Sequence, residues 1–106
     1  MGNYNLFYSE LAKGDLKEIA LYINDELKNP SAAENLIVRI IKMAENCTQF
    51  PYSNPVYMPL KPLKREYRKA FVDNFMLFYW VDEDKKCIEI SRVIYARRNL
   101  ESHIKD

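Results

Sequence analysis

Hydrophobic positions recur with two different periods along this chain, and the change of period divides it into elements. In NYNLFY, residues 3–8, Tyr4, Leu6 and Tyr8 alternate with Asn3, Asn5 and Phe7, which predicts a short first strand. Ser9 stands where a helix N-cap belongs. Beyond it Ala12, Leu16, Ile19, Ala20, Ile23 and Leu27 recur at helical spacing, with charged residues filling the opposite face. Gly14 weakens the first turns of that helix by about 1 kcal/mol relative to Ala. Asn29-Pro30 ends one helix and starts the next, because Asn caps and Pro fits a first helical turn. Ala33, Leu36, Ile37, Ile40, Ile41 and Ala44 form a second apolar stripe that fades near Asn46. Two amphipathic helices joined this closely predict an antiparallel hairpin whose stripes share one partner surface.

The chain then changes character. Pro51, Pro55, Pro59 and Pro62 exclude regular structure and favour a stiff extended loop, while Tyr52, Tyr57, Met58 and Leu60 between them predict that it lies on the body of the protein. Glu66 to Val72, Phe75 to Val81 and Lys86 to Tyr95 read as three strands, with turns at Asp73-Asn74 and at Asp82 to Lys85. FMLFYWV is apolar throughout, as expected of an inner strand covered on both faces, one by helices and the other partly by aromatics, with a ligand as a further candidate cover. The order β-α-α-β-β-β predicts a single α+β domain over residues 1–106, an N-terminal strand followed by a helical hairpin packed on an antiparallel sheet. Arg92 shares parity with Ile88, Ile90 and Ile94. Its guanidinium is therefore either buried and paired, with Glu66, Glu89 or Asp73 as candidate partners, or it lines a binding cleft.

Composition removes several function classes. The chain has 106 residues, 48% hydrophobic and 29% charged, enough for one compact core without staples. With glycine only at Gly2 and Gly14, no phosphate-cradling loop or dinucleotide fingerprint can be written. One histidine, His103, and two distant cysteines, Cys47 and Cys87, do not supply a usual metal ligand set, so neither metal nor cofactor is expected. The two cysteines read as small core residues in a reducing cytoplasm. No secretory signal pattern opens the chain, Leu6 stands where a myristoylation motif needs Ser or Thr, and the longest apolar run is too short for a membrane span.

Net charge is only +1, but it is unevenly spread. Residues 1–56 carry five Lys/Arg against seven Asp/Glu, and residues 57–106 eleven against eight. Lys61, Lys64, Arg65, Arg68 and Lys69 form the densest basic stretch, and Arg92, Arg97 and Arg98 a second. A local basic face on a near-neutral chain suits a focused anionic target better than general coating of nucleic acid. Tyr67 and Tyr95 are candidates for stacking a base.

The chain resembles the RelE/ParE superfamily of bacterial type II toxins along nearly its whole length. Asp15-Leu16 with Ile19, Tyr22 and Ile23 is similar to the family's first helix, and Pro30, Ala32-Ala33 and Leu36 to the start of its second, with Phe50-Pro51 at the exit. Tyr67-Arg68, Val72-Asp73-Asn74-Phe75, Phe78-Tyr79 and Val81 resemble its hairpin, and residues 92–100 (RVIYARRNL) its last strand. The long hairpin and the VDNF segment resemble the ParE and plasmid-stabilisation branch most. The resemblance implies a toxin silenced by a cognate antitoxin, whose tail would cover the basic face and the helical hairpin groove. It leaves two mechanisms open. A ParE-like toxin does no chemistry and traps DNA gyrase, for which the chain carries no recognisable binding motif; the basic residues Lys61, Lys64, Arg65, Lys69 and Arg98 are the target-binding candidates under either mechanism. A RelE-like toxin is a metal-free endoribonuclease that cuts mRNA on the ribosome, and its catalytic residues here would be Arg68, Arg97 and His103. Met76 and Ala70 stand where such nucleases carry cations. A third reading is a non-toxic nucleic-acid-binding module or a decayed toxin.

Overall fold

The computed structural model describes residues 4–59 and 61–96. Arg97, Arg98 and His103 lie outside the described residues. The chain runs β1 (Asn5–Tyr8), α1 (Glu10–Leu27), α2 (Pro30–Gln49), β2 (Arg68–Val72), β3 (Phe75–Asp82) and β4 (Cys87–Tyr95), the order expected from its periodicity. Both helix starts form as their sequences dictate. Ser9 Oγ accepts the Ala12 N–H at 3.0 Å, and Asn29 Oδ1 accepts the Ala32 N–H at 3.1 Å with Pro30 beside it in the first turn. Between the helices Lys28 takes a left-handed conformation, φ 49°. The second helix runs past Asn46 to Gln49, and its end is closed by the Phe50 N–H on the Asn46 carbonyl at 3.1 Å.

The four strands lie in the order β1-β4-β3-β2. β2, β3 and β4 make the expected antiparallel meander. β1 differs: it pairs in parallel with β4, from Asn5 opposite Cys87 to Tyr8 opposite Ile90, so the sheet is mixed. The helical hairpin is the crossover that such a parallel pair requires. It carries the chain over one face, so that the meander returns with β4 beside β1.

The apolar run on β3 serves two cores, as an inner strand should. Leu77 and Tyr79 face the helices, packed with Leu36, Ile40, Ala44, Cys47, Ile88, Ile90 and Val93. Met76 and Phe78 face away and pack with Tyr57, Tyr67 and Ile94, with Trp80 at the margin. The proline-rich loop closes this second core. Val56 bridges to Arg68, the Tyr57 N–H donates to the Tyr67 carbonyl at 2.8 Å, and the Lys69 N–H donates to the Pro55 carbonyl at 3.0 Å. The loop thus covers part of the outer edge of β2, which would otherwise be an open strand edge. The pairing of β3 with β4 shifts register between Phe78 and Tyr79, opposite Arg92 and Ile90, leaving Ser91 extra. This bulge reverses the alternation: Ile88, Ile90 and Val93 belong to the helix-side core and Ile94 to the other.

Gly14 lies within α1, and a Cβ built on it meets nothing within 4 Å. Gly14→Ala is therefore expected to stabilise the fold by about 0.5–1 kcal/mol, chiefly by restricting the unfolded chain. A chemical denaturation midpoint that falls instead of rising would contradict this.

Candidate functional site

A groove of about 570 Å³ lies between α1 and the C-terminal half of β4. Asp15, Glu18 and Tyr22 line it from the helix, and Phe75, Arg92 and Tyr95 from the sheet. The groove exists because β1 stops at Tyr8, pairing with β4 only as far as Ile90, while β4 continues to Tyr95. Its apolar walls are not all withdrawn from water: Tyr22 is 63% exposed.

Arg92 and Asp15 form the polar floor. Arg92 Nε donates to Asp15 Oδ2 at 2.8 Å and Nη2 to Oδ1 at 2.9 Å, while the main-chain N–H of Val93 donates to Oδ2 at 2.9 Å. The side chains retain only 19% and 12% of their exposure. The hydrogen bonds it donates to Asp15 raise the guanidinium's pKa above its ordinary value, outweighing the opposing effect of desolvation. Arg92 is thus both paired and part of a cleft wall, and its partner is none of the three candidates read from the strands. Glu66 bonds Arg68 at 3.2 Å, Glu89 accepts the Trp80 Nε1–H at 2.9 Å, and Asp73 pairs with Arg39. Periodicity offered no signal for a partner 77 positions away on another element.

The basic stretch divides by role. Arg68 Nη1 donates to the Asn54 carbonyl at 2.7 Å, Nη2 bonds Glu66, and the guanidinium lies 5.0 Å from the Tyr52 ring centroid. Its fork therefore holds residues 52–54 against β2. Arg65 stacks on Trp80 at 4.3 Å. Lys61 and Lys64 are exposed, and Lys69 is half-buried, opposite Phe78 in the strand register. Tyr67 is 5% exposed, with its ring inside the second core, and Tyr95 packs edge-on against Phe75 at 5.5 Å. Met76 is 4% exposed and Ala70 fully buried, so both are packing residues.

A second polar cluster, unforeseen from sequence, ties three segments together. Tyr4 and Tyr52 donate their hydroxyls to Glu83 Oε2, and Lys86 donates to Oε1 at 2.8 Å. These bonds, the one from Lys86 first, lower the Glu83 pKa to about 2. In return the Glu83 bond pushes Tyr52 up to about 12. A carboxyl whose pKa is depressed by folding contributes stability above its unfolded value, near 4.5, and loses that contribution as pH falls towards about 2. Glu83→Gln is expected to flatten the dependence of the urea midpoint on pH below about pH 5. Identical slopes for the two proteins would show the cluster to be inert. The effect is small, because the site is open to solvent and screened by salt.

Comparison with known proteins agrees with this architecture. A family model described as the ParE toxin of the type II toxin-antitoxin system, parDE, matches residues 6–100. No curated protein sequence matches significantly. Among solved structures, a chain of the chromosomal ParDE system from P. aeruginosa superposes with a TM-score of 0.73 at 18% identity, over 92% of this chain and 100% of that one. A chain of the toxin-antitoxin complex RelBE2 from Mycobacterium tuberculosis gives 0.61 at 20% identity, covering 90% and 93%. One from the archaeal RelE-RelB complex of Pyrococcus horikoshii OT3 gives 0.60 at 14% identity, covering 92% and 99%. At these identities the structural likeness is one of fold. The family match, by contrast, runs from within β1 to beyond the end of β4, and the chain therefore belongs to the ParE toxin family of type II toxin-antitoxin systems.

Proposed function

We propose that this toxin arrests growth by binding DNA gyrase, and that a cognate antitoxin holds it inactive until the antitoxin is lost. Membership of the toxin family supports the antitoxin partner. The groove along α1, apolar with an acidic rim, is the surface we assign to the antitoxin's tail. Both partners would be met in the cytoplasm.

The observation that favours gyrase over mRNA is the placement of Arg68, Ala70 and Met76. Phosphodiester cleavage without a metal needs cations that converge on one phosphate as charge develops there. Arg68 is held by the Asn54 carbonyl and Glu66, Met76 is packed in the second core, and Ala70 is in the first. A binding toxin needs only a folded scaffold and a recognition surface, for which Lys61, Lys64, Arg65, Lys69 and Arg98 are the candidates. The second reading, ribosome-dependent mRNA cleavage, would rest on Arg68 with Arg97 and His103. A plain nucleic-acid-binding module would instead show salt-sensitive affinity without toxicity.

Induced expression without antitoxin is the test. Growth arrest with DNA damage and blocked supercoiling, and with total mRNA intact, is expected. Arg97→Ala should leave most of that arrest in place. Codon-phased mRNA cuts within minutes of induction, abolished by Arg97→Ala, would overturn the gyrase reading.

A further inference from the structure

The outward edge of β4 is a place where a second strand could pair. β1 covers it only as far as Ile90, and past the bulge Val93-Ile94-Tyr95 is a β-branched and aromatic run with no strand outside it among the described residues. The Val93 N–H points outward to Asp15, whereas the Ala96 N–H points inward to the Asn74 carbonyl at 2.7 Å. Main-chain groups alternate along a strand, so Val93 and Tyr95 direct theirs outward. Apolar edges of this kind recruit further strands unless something blunts them.

The start of α1 meets this edge group by group. The Ser9 N–H donates to the Ile90 carbonyl at 3.0 Å, Ser9 Oγ donates to the Ser91 carbonyl at 2.8 Å, and Asp15 Oδ2 takes the Val93 N–H at 2.9 Å. The carboxylate is fixed in place by its two bonds to Arg92. We propose that Asp15 is an edge guard: by taking the Val93 N–H it denies a second copy of this chain the donor from which pairing along β4 would start. The guard leaves Tyr95 as the outward main-chain position that no described residue occupies.

Amide hydrogen exchange on the full-length wild type is the first measurement. The Val93 amide is expected to exchange at least ~10-fold more slowly than the Tyr95 amide on the same edge. Equal rates would overturn the proposal without any variant. In Asp15→Ala the Val93 amide should approach the rate of Tyr95, and sedimentation should show self-association at concentrations where the wild type is monomeric. Arg92→Gln removes the ion pair but leaves the carboxylate beside Val93, so that amide should stay slow and the chain monomeric. An Asp15→Ala variant that stays monomeric, or an Arg92→Gln variant that behaves like it, would show that the carboxylate serves only the ion pair.

Discussion

Leu77→Ala is expected to lower the melting temperature by roughly 15 °C, corresponding to a loss of about 3 kcal/mol in a domain of this size. Leu77 is fully buried on the inner strand β3, opposite Ala70 on one side and Val93 on the other. Its side chain fills the space between the sheet and the α2 residues Leu36, Ile40 and Ala44. Deleting its three outer carbons removes transfer free energy and leaves a cavity, and the site collapses poorly when both neighbouring strands fix the backbone. Leu21→Ala is the control: Leu21 is 51% exposed on α1, and its loss should change stability by less than about 0.5 kcal/mol. Thermal denaturation of the three proteins checks both values. A Leu77→Ala shift no larger than that of Leu21→Ala would mean that the core lies elsewhere.

The elements were legible because each carries a local signature. Ser9 and Asn29-Pro30 announce helix starts whatever the rest of the chain does, since a cap satisfies donors of its own helix. The uninterrupted apolar run of β3 announced a strand with two covered faces, and Tyr57, Tyr67 and Phe78 supply the aromatic second face that it demanded. What was hidden depends on pairing between distant segments. The parallel union of β1 with β4 leaves no mark on residues 5–8, because a strand paired on one side has the same alternation in either direction.

The bulge at Ser91 is the sharper case. Strict alternation puts Arg92 on the face of Ile88 and Ile90, together with Ile94. The extra residue instead sends Val93 to that face and Ile94 to the opposite one. The two readings of Arg92, paired or lining a cleft, were therefore posed on the wrong geometry, yet each was half of the answer. The basic stretch was visible as charge, but its division into Arg68, which braces a loop, and Lys61, which faces solvent, depends on where carbonyls 52 and 54 lie. No spacing rule encodes that.

Asp15→Ala should cost about 2–4 kcal/mol, whereas Asp15→Leu combined with Arg92→Met should recover most of the loss. The asymmetry follows from what each change leaves behind. Removing Asp15 alone takes two hydrogen bonds and the counter-charge from a largely desolvated guanidinium and orphans the Val93 N–H. Arginine does not shed its proton to escape, so the penalty falls on folding. Substituting both residues removes the charges together and puts apolar volume against Ile19 and Val93, leaving the Val93 N–H as the remaining deficit. The partial exposure of the pair, 19% and 12%, places the expected loss below that of a fully buried ion pair. A double-mutant cycle by urea denaturation reads the coupling directly. Losses that simply add would show that Asp15 and Arg92 act separately. A coupling of about 2 kcal/mol or more would make the pair the feature that holds α1 against β4, and with it the floor of the groove.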